Sequence, residues 1–119
     1  MPRVLHIDGD FTAQNRIKTY LEEAGLKVTT VDTEKDALTR IRRSKCSVVL
    51  IRDREDYLNA FECIENIRKR YPIPILVLGT TRDSEHRIKY LQKGAAQYIQ
   101  EPCASEELIE IVRVHLRPS

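Results

Sequence analysis

Val4-Leu5-His6-Ile7-Asp8-Gly9-Asp10 is the stretch that decides how this chain folds. A short apolar run ends abruptly in two carboxylates around a glycine. Runs of this length, bounded by turn residues, read as strands of a sheet covered on both faces. The motif recurs four times. The later strands are expected near Val28–Val31, Val48–Ile51, Ile75–Leu78 and Gln97–Ile99, after a first near Arg3–Ile7. Three of them stop at polar or charged clusters: Arg52-Asp53, Gly79-Thr80-Thr81 and Glu101-Pro102.

The segments between these strands have helical period. Ala13, Ile17, Tyr20, Leu21 and Ala24 form a stripe that stops at Gly25, a good helix terminator. Ala37, Leu38 and Ile41 predict a second helix, begun near Asp32 or Thr33. Phe61, Ile64, Ile67 and Tyr71 predict a third, closed by Pro72. Ile88, Leu91 and Ala95 predict the buried stripe of a fourth, opened near Ser84 and ended by Gly94. Leu108, Ile111, Val112 and Leu116 predict a fifth from Ser105, with Glu106 and Glu107 in the first turn, where carboxylates suit the helix dipole.

Strand and helix in strict alternation predict an α/β fold with a parallel sheet and right-handed crossovers. Five units give a flavodoxin-like (βα)5 three-layer sandwich of strand order 2-1-3-4-5. Ligands of such sheets sit beyond the carboxyl ends of the strands, at the switch point between the first and third. That rule selects Asp8, Gly9, Asp10, Arg52, Asp53, Gly79, Thr80 and Glu101 as the candidate site.

The 119 residues fit one domain over residues 1–119, either whole or the N-terminal part of a longer regulator. A hydrophobic content of 41% supports a packed core. The net charge of +2 is spread over interspersed acids and bases, which argues against a nucleic-acid surface. The cluster Arg40, Arg42, Arg43 and Lys45 reads as cations at a helix C-terminus. No apolar run approaches the roughly 18 residues of a membrane span. Met1-Pro2-Arg3 leads straight into a strand, so no signal peptide is expected. Cys46, Cys63 and Cys103 are odd in number and far apart. They read as free thiols of a cytoplasmic protein, and no metal site is expected.

With these residues in place, the chain resembles the receiver domain of two-component response regulators, over essentially its whole length. The resemblance rests on Val4–Asp8, on Ser47–Arg52, on Pro74–Leu78, and above all on Lys93-Gly94-Ala95-Ala96-Gln97-Tyr98-Ile99-Gln100-Glu101-Pro102, similar to the family's Gly-Ala…Tyr…Lys-Pro segment. The family has two adjacent acids after its first strand; here Asp8 matches one, Gly9 replaces the other, and Asp10 follows. The phosphoacceptor aspartate's place is Arg52. The hydroxyl residue's place is Gly79, followed by Thr80. The lysine's place is Glu101. Tyr98 keeps the aromatic switch position. The resemblance also implies a cis peptide between Glu101 and Pro102.

Phosphoryl transfer to a carboxylate needs a nucleophilic oxygen, a divalent ion and donors for the phosphoryl oxygens. A guanidinium cannot be the nucleophile. Asp8 alone is a poor Mg²⁺ site, and Arg52 adds a competing charge. Arg52 either bridges Glu101 and Asp8 as a built-in salt bridge or points to solvent. Asp53 is a displaced acceptor only if the chain has turned there, because neighbours in a strand face opposite ways. Asp10 reads as a weak ligand or, better, a helix cap. His6 reads as a hydrogen-bonded core histidine.

Tyr90 is expected opposite the Ile88–Leu91 stripe and Val114 off the buried arc of the last helix. With Tyr98 they mark apolar spots on the face of the fourth helix, fifth strand and fifth helix. One receiver class forms homodimers there through paired acids; Ala96 and Gln97 stand in those places. The reading is a bacterial pseudo-receiver: not an enzyme, independent of phosphorylation, without cofactor, acting by contact with a protein partner or an output domain. The alternative is phosphate acceptance at Asp53 from a histidine kinase, with Mg²⁺. A flavodoxin-like enzyme or nucleotide binder is a third possibility, without a phosphate loop to support it.

Overall fold

The computed structural model describes residues 2–54 and 58–116. Strands β1 (Arg3–Ile7), β2 (Lys27–Val31), β3 (Val48–Arg52), β4 (Ile75–Gly79) and β5 (Gln97–Gln100) alternate with helices α1 (Phe11–Glu23), α2 (Glu34–Arg43), α3 (Ala60–Arg68), α4 (Ser84–Lys93) and α5 (Ser105–Leu116). The five strands are parallel in the order β2-β1-β3-β4-β5, as expected. Period-two alternation divides the core into two layers. Leu5, Ile7, Val49, Ile51, Ile75 and Val77 meet α2, α3 and α4 on one face. Val4, Val48, Leu50, Leu76, Leu78 and Ile99 meet Ile17 and Leu21 of α1 and Leu108 and Val112 of α5 on the other.

Local chemistry sets most helix ends. Asp10 caps α1, its carboxylate accepting from the Thr12 and Ala13 amides; such a cap is worth about 1 kcal/mol. Thr33, Asn59 and Asp83 cap α2, α3 and α4 in the same way. Gly94 ends α4 at a φ of 117°, a conformation that favours glycine. Ser105 is the first residue of α5, and Ala104 offers the carbonyl that Leu108 bonds. The third helix ends at Arg68, short of Pro72, where the Arg70 amide bonds the Ile67 carbonyl only three residues back. Cys46, Cys63 and Cys103 are free. Among the described residues, no helix is long and apolar enough to cross a membrane.

The buried face of α4 is a correction. Tyr90, expected outside, is fully buried, whereas Ile88 and Leu91 are 49% and 47% exposed. The Tyr90 ring stacks on Phe61 with centroids 4.0 Å apart, and its hydroxyl donates to the Asp53 carboxylate. A large ring whose hydroxyl finds a partner outweighs two aliphatic side chains. Tyr90 is therefore part of the core and not of a surface.

Candidate functional site

The alternation that builds the core also sorts the polar residues at the strand ends. Arg52 follows Val48 and Leu50 onto the α1/α5 side, where it meets Asp8 and Glu101. Asp53 follows Val49 and Ile51 onto the α2–α4 side, where it meets His86, Tyr90 and Tyr98. Among the described residues, the candidates thus form two clusters on opposite faces of the sheet.

In the first cluster Arg52 sits between two carboxylates. Its Nε donates to Asp8 Oδ2 at 3.0 Å, and its Nη1 donates to Glu101 Oε1. Arg52 is only 7% exposed and Asp8 is fully buried. Arg52 Nη2 is also buried, with no hydrogen-bond partner among the described residues. Asp8 Oδ1 accepts the Asp10 amide at 2.9 Å across the bend at Gly9. Arg16 stands 3.8 Å from Glu101 at the rim, and Arg54 stands 3.5 Å from Asp10. His6 Nε2 lies 3.2 Å from Asp8 Oδ2, without the alignment of a hydrogen bond. The Glu101–Pro102 peptide is cis. A cavity of about 500 Å³ opens beside the Arg52–Glu101 pair, with Arg16, Tyr20, Thr80 and Ser105 on its walls.

Burial holds His6 neutral, its pKa below the ordinary 6.5. Burial pushes Asp8 the other way, but the His6 ring, the Asp10 amide and the Arg52 guanidinium outweigh it and hold the carboxyl below its usual range. Asp8 is thus an ionised carboxylate with its counterion already in place.

That arrangement does not fit the divalent ion of a phosphate-accepting receiver. One Asp8 oxygen is taken by the guanidinium and the other by a backbone amide. Gly9 adds no carboxylate, and the Arg52 guanidinium sets a positive charge directly against Asp8. Among the described residues, no group of three or more His, Cys, Asp or Glu is placed to hold a metal ion.

In the second cluster the Asp53 carboxylate, its side chain 8% exposed, has three partners among the described residues. Tyr90 donates to Oδ1, Tyr98 donates to Oδ2 at 2.9 Å, and His86 Nε2 lies 3.0 Å from Oδ2. Tyr98 Oη in turn accepts the Thr81 amide at 3.2 Å. Burial, with the carboxylate alongside, raises the Tyr98 pKa well above the ordinary tyrosine value, so the hydroxyl stays a donor. Gly79 is the seat of this cluster. A Cβ there would collide with the Tyr98 hydroxyl and lie 2.8 Å from Asp53 Cβ. The next residue, Thr80, is exposed and stands on the wall of the cavity beside Arg52 and Glu101.

The structure brings together Asp8, Arg52 and Glu101, places Asp10 at a helix cap, and draws Tyr98 inward. Val114 stands exposed on α5. Sequence reasoning missed His86. Its signal was the spacing of four from Tyr90, which puts both side chains on one row of α4.

The family described as Response regulator receiver domain matches residues 4–113. A Haemophilus influenzae protein described as "Transcriptional regulatory protein CpxR homolog" is 29% identical over 119 residues, covering 100% of this chain and 52% of that protein. The Arabidopsis thaliana "Two-component response regulator ARR10" is 28% identical, covering 98% of this chain and 22% of the plant protein. This chain therefore spans about half or less of these relatives. Among solved structures, the receiver domain of a Francisella response regulator superposes with a TM-score of 0.89 at 29% identity, over 98% of this chain and 97% of its own.

Proposed function

The chain belongs to the response regulator receiver domain family, and on that footing we propose that it is a receiver that signals without being phosphorylated. The observation that carries this reading is the guanidinium of Arg52 at the acceptor's place, bonded to Asp8 and Glu101. A guanidinium cannot take a phosphoryl group, and its charge supplies what a metal ion would supply to the carboxylates. The domain then acts by contact, without Mg²⁺, on a second protein or an output domain of the same chain. The description of the Haemophilus relative as a transcriptional regulatory protein favours an output of that sort. The contact face is that of α4, β5 and α5, where Ile88, Leu91 and Val114 stand exposed and a homodimer is one arrangement. Free thiols at Cys46, Cys63 and Cys103 suit a cytoplasmic setting.

The rival site for a phosphoryl group is Asp53. Against it stand three partners already on its carboxylate and the absence of any tie to Asp8. Intact mass after incubation with acetyl phosphate and Mg²⁺ decides the matter, with Asp53→Asn beside the native chain. No adduct on either protein is the expected result. An adduct on the native chain, lost in the variant, would sink the proposal.

A further inference from the structure

The second cluster joins three elements through one side chain. Asp53, just past the end of β3, receives Tyr98 from β5 and meets Tyr90 and His86 from α4. The path continues outward: Tyr98 Oη accepts the Thr81 amide, Thr81 Oγ1 accepts the Asp83 amide, and Asp83 caps the first turn of α4. The Tyr98 hydroxyl fills the volume that any side chain at position 79 would need. Glycine at that position and the carboxylate at 53 therefore do complementary work: one leaves room for the ring and the other holds it.

We propose that Asp53 is the positioning residue of this domain, fixing Tyr98 inward and α4 in its docked place so that the α4–β5 surface is held in one state. The role rests on the reading that the domain works without phosphate, and it adds how the single state is kept. Three partners on one buried carboxylate make a rigid junction, because swinging any one of them out leaves a buried acceptor short of a donor. The lever that opposes it is local. A methyl group at position 79 would meet Asp53 Cβ, close to the main chain, and the Tyr98 hydroxyl, the free end of a side chain. The ring is the part that yields.

The test is nuclear magnetic resonance of the chain labelled with 3-fluorotyrosine and ¹⁵N, with Tyr98→Phe to assign the ring signal. In the native protein Tyr98 should give one signal, shielded from a soluble paramagnetic agent and unchanged by acetyl phosphate with Mg²⁺. Gly79→Ala and Asp53→Asn should each move that signal to a solvent-exposed position. The Thr81 amide should exchange about tenfold faster in both, the worth of one ordinary hydrogen bond. Gly79→Ala removes no polar group, so it keeps the test sharp should Asp53→Asn unfold. A native Tyr98 that samples two positions, or a ring that stays shielded in both variants, overturns the positioning role. Intact mass on the same samples reads the parent proposal separately. A phosphoryl adduct refutes phosphate independence whatever Tyr98 does, while a mobile Tyr98 without an adduct refutes only the role of Asp53.

Discussion

Arg52 and Asp53 are neighbours in the chain, carry opposite charges, and serve opposite faces of the sheet. Arg52 is bound by Asp8 and Glu101 toward α1 and α5, and Asp53 by Tyr90, Tyr98 and His86 toward α4. The cause is strand geometry: consecutive side chains leave the sheet on opposite sides. One step along the backbone therefore separates a neutralised pocket from a carboxylate-centred junction.

Arg52 is the only cation hydrogen-bonded to Asp8 among the described residues, and Asp8 is fully buried. Arg52→Met keeps much of the packing and leaves that carboxylate without its partner. A broken buried pair costs about 3–5 kcal/mol, and the solvent rim at Glu101 favours the lower end. The melting temperature should fall by roughly 10 °C. Asp8→Asn with Arg52→Met should lose less than the sum of the two single changes, since they share one interaction. Thermal melts of the four proteins check this, and an Arg52→Met variant that melts with the native chain would mean the bridge contributes nothing.

Stability should fall with acid earlier than carboxylates alone require. The folded chain keeps His6 neutral, below its ordinary 6.5, while the unfolded chain protonates it as pH falls through that value. The unfolded state then binds more protons, so stability declines from about pH 6.5 downward, at up to about 1.4 kcal/mol per pH unit. Asp8 works in the same direction lower down. Its carboxyl is held below the ordinary 3.8, so its contribution is present above that value and lost as pH falls through the folded pKa. Urea unfolding at stepped pH should show the decline, and His6→Leu should flatten it between about pH 6.5 and 5. An unaltered slope in the variant would place the sensitivity on another group.

The burial of α4 gives the third expectation. Tyr90→Ala removes a fully buried ring and one donor to Asp53, and should cost about 3–5 kcal/mol. Ile88→Ala and Leu91→Ala, on half-exposed side chains, should stay within about 0.5–1 kcal/mol. Denaturant titration ranks the three; the reverse order would mean that α4 is turned the other way.

The elements that sequence resolved are those whose signals are local. Apolar runs, Asp10 and Thr33 as caps, and Gly94 at a left-handed turn each announce themselves within a few residues. The juxtaposition of Arg52, Asp8 and Glu101 could be anticipated because all three lie at strand ends and their charges are complementary. The orientation of α4 could not. Its stripe of Ile88 and Leu91 is a fair local pattern, and what overrides it is a carboxylate 37 positions away from Tyr90. Separation in sequence also hid His86, 33 positions from Asp53, and the reason for Gly79, whose missing side chain has meaning only once the Tyr98 ring is seen to fill its place.

The alternation at the end of β3 also sets what the loss of one residue would do. Deleting the single codon for Arg52 would slide Asp53 into the slot facing Asp8 and Glu101, since a shift of one residue turns a side chain to the other face. Three carboxylates would then converge where a cation now sits, and the α4 junction would lose its centre in the same step. One deletion would thus trade the self-contained pocket for one hungry for a divalent ion.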